Sequence, residues 1–173
     1  KSSLLRALTG AQVLVEDKLF ATLDTTTRKI ELPNNQPLLL TDTVGFVRNL
    51  PHGLVEAFKS TLEVAAEAEL LVHVVNSAAA NPEAQIDAVR VVLEEIGADT
   101  VPELLVFNKS DLDPVTAERL VEDHHGSVAV SAITGDGIET FLRTLGDRVR
   151  SLTVVHELLI PYERGDVLAS VHR

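Results

Sequence analysis

Leu104-Leu105-Val106-Phe107-Asn108-Lys109-Ser110-Asp111 is the stretch on which the fold turns. With Glu103 ahead of it, an unbroken apolar run gives way at once to four polar residues. Apolar residues without alternation mark a strand covered on both faces, as strands of parallel sheets are. Working outward, Leu70–Val75 is nearly continuous apolar, a second such strand, and Ser127–Val130 reads as a short third strand. Between them lie Pro82–Ile96, with proline at its start and Gly97 at its end, and Pro114–Asp123; both read as helices. Gly137–Val149 reads as a last helix. Strands alternating with helices predict an α/β fold, a mostly parallel sheet with helices on both faces. Ligands of such sheets bind beyond the carboxyl ends of the strands, so the polar loops after the strands are where chemistry belongs.

The amino-terminal part is less regular. Leu4, Leu5 and Leu8 give Lys1–Leu8 a helical spacing that stops at Gly10. Ala11–Thr27 has no sustained period and reads as a loop. Arg28–Leu32 and Leu38–Asp42 read as strands joined through Pro33-Asn34-Asn35-Gln36-Pro37, and Leu54–Glu67 as an amphipathic helix. Near Ser151 the pattern changes: Val154–Pro161 is apolar and β-like, and a turn follows. Residues 1–151 are therefore expected to form one domain and 152–173 the beginning of a second, small α/β domain.

Composition narrows the classes. The chain has 173 residues, 45% hydrophobic and 24% charged, which suits a folded globular chain and excludes a disordered one. No run of about 18 apolar residues is present to span a membrane, and no secretory signal is visible. Cysteine is absent, which removes disulfides and thiolate chemistry and fits a reducing cytosol. A net charge of −11 makes the chain a poor non-specific binder of nucleic acid. There is no methionine, and the sequence reads as a fragment.

Four loops carry chemistry. In Asn108-Lys109-Ser110-Asp111, the Asp111 carboxylate suits the N1–H and 2-amino group of guanine. Adenine lacks that pair of donors and would leave the carboxylate unpaired. The Asn108 amide can meet the other edge of the purine, and the Lys109 stem can lie over its plane. Three fixed residues recur by chance at roughly one position in 8,000, so a plain polar loop is the weaker reading. In Asp42-Thr43-Val44-Gly45, a carboxylate at a strand end suits Mg²⁺ through water, and Gly45 lets a backbone N–H approach a terminal phosphate. Lys1-Ser2-Ser3 opens a helix as the end of a phosphate-binding loop does: lysine to the β/γ-phosphates, the next hydroxyl to Mg²⁺. The strand and glycine-rich loop that precede such a lysine are not in this sequence. Ser131-Ala132, with Gly135 and Gly137 close behind, can offer a backbone N–H to guanine O6. Thr22, Thr25, Thr26 and Thr27 each could reach Mg²⁺ and the γ-phosphate, and composition does not choose among them.

In this order the motifs resemble the P-loop GTPases, and two longer stretches narrow the resemblance. Val13–Asp24 is similar to the first switch of the HflX family of ribosome-associated GTPases. Asp42–His52 with Leu54–Phe58 is similar to its second switch, and Leu158–Tyr162 with Arg164–Asp166 to the start of its carboxyl-terminal domain. The resemblance covers nearly the whole chain. It implies a G domain at 1–151, truncated ahead of Lys1, and assigns Thr22 as the switch threonine. It implies GTP and GDP as ligands, Mg²⁺ as cofactor, binding to the large (50S) ribosomal subunit, and splitting or rescue of ribosomes under stress. It also implies an amino-terminal domain that makes much of the rRNA contact. The family usually has proline where this chain has Thr25, and often aspartate where it has Asn76.

The implied reaction is attack of water on the γ-phosphate, with Lys1, Thr22 and Gly45 as the catalytic set and Ser2, Thr22 and Asp42 about the metal. Ser3, Thr43, Val44, Asn108, Lys109, Asp111, Ser131 and Ala132 complete the nucleotide contacts. Phe46 stands where many GTPases have a glutamine that orients the water, so intrinsic hydrolysis is expected to be slow. The ribosome, by ordering the switches, is the expected helper; K⁺ is the other, its usual asparagine ligand lying upstream of Lys1. His73 is expected to be a satisfied core residue and His124-His125 a solvated helix end. The competing expectation is a non-catalytic module that binds ribosome or nucleotide without turnover, and the missing loop predicts a weakly folded, weakly binding piece. The expected setting is a cytoplasmic monomer.

Overall fold

A computed structural model describes residues 2–9, 26–43 and 64–152. Helix α1 (Ser2–Thr9) buries Leu4 and Leu5 and exposes Arg6, as the leucine spacing requires. Strands β1 (Thr26–Glu31) and β2 (Pro37–Asp42) form an antiparallel hairpin with Glu31 opposite Pro37 and Thr26 opposite Asp42. Asn35 closes its loop at φ 60°, a left-handed conformation that asparagine tolerates, donating its N–H to the Leu32 carbonyl at 2.8 Å. The sequence placed Thr26 and Thr27 in a loop; both belong to β1, and the Thr27 hydroxyl pairs with that of Thr41 across the strands at 2.9 Å.

Residues 64–66 are helical and carry the end of the expected Leu54–Glu67 helix; its earlier part lies outside the described residues. Strand β3 (Leu71–Asn76), helix α2 (Pro82–Glu95), strand β4 (Glu103–Asn108), helix α3 (Pro114–Asp123), strand β5 (Val128–Val130) and helix α4 (Ile138–Leu152) follow. The strands lie parallel in the order β3-β4-β5. Helices cover both faces. Leu104 and Val106 of β4 pack with Phe141 and Leu145 of α4 and Leu4 of α1, and alternate residues Leu105 and Phe107 pack with Ile86 of α2 and Leu120 of α3.

Strand β3 departs from its expected burial. All its residues but Val75 are half-buried; among the described residues its hydrogen-bonded neighbour is β4, on one side. The hairpin and the sheet nevertheless share one core, in which Ile30 and Leu32 meet Val128, Val130 and Phe141.

Helix termini follow local chemistry. Asn81 caps α2 by accepting from the Ala84 N–H at 3.1 Å, and Asp113 caps α3 by accepting from Thr116 at 3.1 Å, each with proline next. Residues 153–173, where a second domain is expected, lie outside the described residues.

Candidate functional site

In the parallel sheet Asn76, Asn108 and Val130 stand near the carboxyl ends of β3, β4 and β5, with Asn76 opposite Asn108 and Asn108 opposite Val130. The loops beyond them therefore leave the same edge. Asn108 is buried, and its side-chain oxygen accepts from two backbone donors: its neighbour Lys109 at 2.8 Å and Ala132 at 3.1 Å. One side chain thus ties the loop after β4 to the loop after β5. The Ser110 N–H adds a second tie, to the Val130 carbonyl at 3.1 Å.

Lys109 holds φ 68°, a left-handed conformation that costs a non-glycine residue about 1–2 kcal/mol. The Asn108 oxygen on its N–H, and the Leu112 N–H on its carbonyl at 3.0 Å, hold it there. Strain maintained in this way clusters at ligand-binding positions, which makes the loop a candidate. Lys109 and Asp111 are exposed and carry no described ion pair, so both charges stay available.

The loop after β5 is built as firmly. Ser131 is fully buried, and its hydroxyl accepts from Ile133 at 3.3 Å and Thr134 at 3.1 Å. Its N–H donates to the Asp136 carbonyl at 2.9 Å, and the Thr134 hydroxyl donates to the Asp136 carboxylate at 2.7 Å. Gly137 sits at φ 73° against the Ala129 carbonyl oxygen, where any Cβ would collide. The glycines of this loop were legible in the sequence; the clasp by Thr134 and Asp136 was not, since its partners are ordinary surface residues until the turn forms.

Asp42 ends β2, opposite Thr26, and Thr43 follows it. Ser2 begins α1, and Ser3 stands in its first turn, half-buried. Lys1, Thr22, Val44, Gly45 and Phe46 lie outside the described residues, so the structure brings together only the base-side half of the expected set: Asn108, Lys109, Asp111, Ser131 and Ala132.

Among the described residues the polar cleft of about 320 Å³ lined by Arg90, Glu103, His124, Ser127 and Arg148 is a different place. It lies at the Glu103 end of β4, opposite Asn108. There Glu103 accepts from His73 Nδ1 at 2.6 Å and from Arg90 at 2.8 Å, which satisfies the histidine inside the sheet as expected. Burial raises the Glu103 pKa, but the hydrogen bonds and charges of His73 and Arg90 outweigh it and hold the carboxyl below its ordinary value. His124 is not the solvated helix end the sequence suggested: it caps α3, pairs with Glu83 at 3.0 Å and packs on the Phe107 ring at 5.7 Å.

Comparison with known proteins meets this geometry. A family profile described as 50S ribosome-binding GTPase matches residues 1–109. A curated GTPase HflX of Akkermansia muciniphila is 48% identical over 99% of the chain and 41% of its own length. The chain belongs to the HflX family of GTPases. The GTPase HflX of Escherichia coli is 42% identical over 95% of the chain and 39% of its own length. The chain thus spans about two fifths of the length of these HflX relatives. Among solved structures, a GTP-binding protein from the archaeon Sulfolobus solfataricus in complex with GDP superposes with a TM-score of 0.66 at 26% identity, covering 87% of the chain and 49% of its own. A complex of SsGBP with GDP gives 0.69 at 24% identity, over 88% of the chain and 47% of its own, and shares the fold. The α/β architecture is that of the P-loop GTPases.

Proposed function

We propose that the protein to which this chain belongs binds GTP and hydrolyses it to GDP and phosphate on the large ribosomal subunit, and thereby splits or rescues ribosomes under stress. The observation that carries the reading is the clasped pair of loops at the carboxyl edge of the sheet. Asp111 stands ready as acceptor for the N1–H and 2-amino group of guanine, Asn108 meets the other edge, and the Ala132 loop closes on O6.

In the reaction, water attacks the γ-phosphorus, the bond to the β-phosphate oxygen breaks, and the water's proton passes to the released phosphate. Lys1 draws charge off the β/γ-phosphates, and the backbone N–H of Gly45 holds the γ-phosphate. Ser2, Thr22 and Asp42 offer hard oxygen ligands at a helix start, a loop and a strand end, a donor set that fits Mg²⁺. When bound, that ion neutralises phosphate charge. Ser3, Thr43 and Val44 complete the phosphate cradle. Phe46 offers no hydrogen bond to the attacking water, so turnover waits on the ribosome to order the switches. Phe46→Gln is expected to raise ribosome-free turnover about tenfold; an unchanged rate counts against this account of Phe46. Comparing turnover in K⁺ and Na⁺ decides whether a monovalent cation joins the site.

Among the described residues no helix is long and apolar enough to cross a membrane. The reading takes the protein as a cytoplasmic monomer, which sizing of the full-length protein tests. Residues 1–151 would act as the G domain and 152–173 as the beginning of the next.

The deciding experiment is fluorescent GDP binding by the full-length protein, with GTP and ATP as competitors, followed by GTP turnover with and without 50S subunits. Displacement by GTP alone, with turnover stimulated by the subunit, is the expected result. Equal displacement by ATP overturns the base assignment. Binding without turnover under either condition favours the non-catalytic module.

A further inference from the structure

We propose that Ser77 is a positioning residue for guanine recognition, acting through Asn108; this rests on the base-binding role given to Asn108 above. Ser77 is the first residue beyond β3 and is fully buried. Its backbone N–H and its hydroxyl both donate to one acceptor, the Asn108 carbonyl oxygen, each at 3.0 Å. The backbone bond continues the β3/β4 ladder one step past Asn76 and Asn108, and any residue would make it. The hydroxyl bond is the side chain's own addition. It fills the second lone pair of a carbonyl that the fold has taken out of water, where an unmet acceptor is costly.

Asn108 is thereby held from two sides. Its main-chain carbonyl is clamped toward β3 by Ser77, and its side-chain oxygen toward β5 by the Ala132 N–H and back onto Lys109. Two N–H donors on that oxygen fix which way the amide faces. The Nδ2 group makes no hydrogen bond among the described residues and remains the free donor, suited to an acceptor on a purine edge. A residue that must hold one donor within a few tenths of an ångström needs its backbone fixed as well as its amide. Ser77 supplies the backbone restraint on the side that the loop after β5 does not reach. Nothing in the sequence sets Ser77 apart, since a serine after an apolar strand is an ordinary turn residue.

The test uses the full-length protein as wild type, Ser77→Ala, Asn108→Ala and the double variant. GDP dissociation constants are measured for each, with inorganic tripolyphosphate as a ligand that has phosphates and no base. Ser77→Ala is expected to weaken GDP about fivefold, the worth of one ordinary hydrogen bond, and to leave tripolyphosphate within about twofold of wild type. In the Asn108→Ala background, which keeps the main-chain carbonyl but has no amide left to aim, Ser77→Ala is expected to add less than about twofold. An equal loss in both backgrounds overturns the inference, as does a parallel loss of tripolyphosphate, since either means a general loosening of the fold. GDP binding by wild type with no effect of Ser77→Ala overturns the inference and leaves the function standing. No GDP binding by wild type overturns both.

Discussion

Lys109 shows how much a single residue discloses. Its left-handed backbone is held by an asparagine that also grips the neighbouring loop, so the shapes of the two loops are one arrangement. Asp111, two residues on, is exposed and carries no ion pair among the described residues. Asp111→Asn replaces an acceptor of two N–H donors by a group with one acceptor and one donor. GDP affinity is expected to fall at least about tenfold, and the preference for guanine over adenine nucleotides to collapse, both readable by competition binding. Glu103 marks the other end of the same strand. Its folded pKa is lowered, so its stabilisation is present above the unfolded value of 4.5 and is lost as pH falls through the lower folded value. Urea unfolding is expected to show a smaller loss of stability between about pH 5 and pH 3 in Glu103→Gln than in wild type. Asp111 stands out as a candidate in the sequence because an unusual run of residues announces it. The Glu103 network was not, because His73, Arg90 and Glu103 come from three elements and meet only when β3, α2 and β4 pack.

At the scale of elements, the helices are specified almost wholly by local chemistry. Asn81-Pro82 and Asp113-Pro114 begin α2 and α3 as the sequence says, each cap side chain meeting a backbone N–H three residues on. Asn81→Ala is expected to cost about 1 kcal/mol in urea unfolding, the usual worth of a helix cap. A loss near zero would mean that tertiary packing alone holds the start of α2. Strand existence was equally plain, but strand environment was not. Strands β3 and β4 carry similar apolar runs, yet β4 is buried from Leu104 to Asn108 while most of β3 is half-exposed. Among the described residues the difference lies in neighbours: β4 has β3 and β5 on its two sides, and β3 has β4 on one. The limits of β1 were missed for a related reason. Threonines 26 and 27 carry no apolar signal, and what makes them strand is a partner, Asp42 and Thr41, on the returning half of the hairpin.

At the largest scale, the described residues of the hairpin and the parallel sheet share one core. Among the described residues no strand hydrogen bonds join the hairpin to the parallel sheet, and Ile30 and Leu32 of the hairpin side meet Val128, Val130, Phe141 and Leu145 in one apolar cluster. Phe141 is fully buried there. Phe141→Ala is expected to cost about 3–5 kcal/mol, because the cavity lies where two substructures meet and neither can collapse to fill it. Hydrogen exchange should then show the hairpin and the sheet losing protection together; loss confined to α4 would show that the cluster does not couple them. The amino-acid sequence by itself determined the α/β class, the starts of α2 and α3, the order of the loops and the polar run Asn108–Asp111 beyond a strand end, because periodicity, capping and short motifs act over a few neighbouring residues. Only the tertiary structure decided that Asn108 is gripped by Ala132 and Ser77, that Glu103 gathers His73 and Arg90, and that Ile30 and Leu32 share a core with Phe141. Those are contacts between residues far apart in the chain, and they exist only once the sheet has set its register and the helices have closed over it.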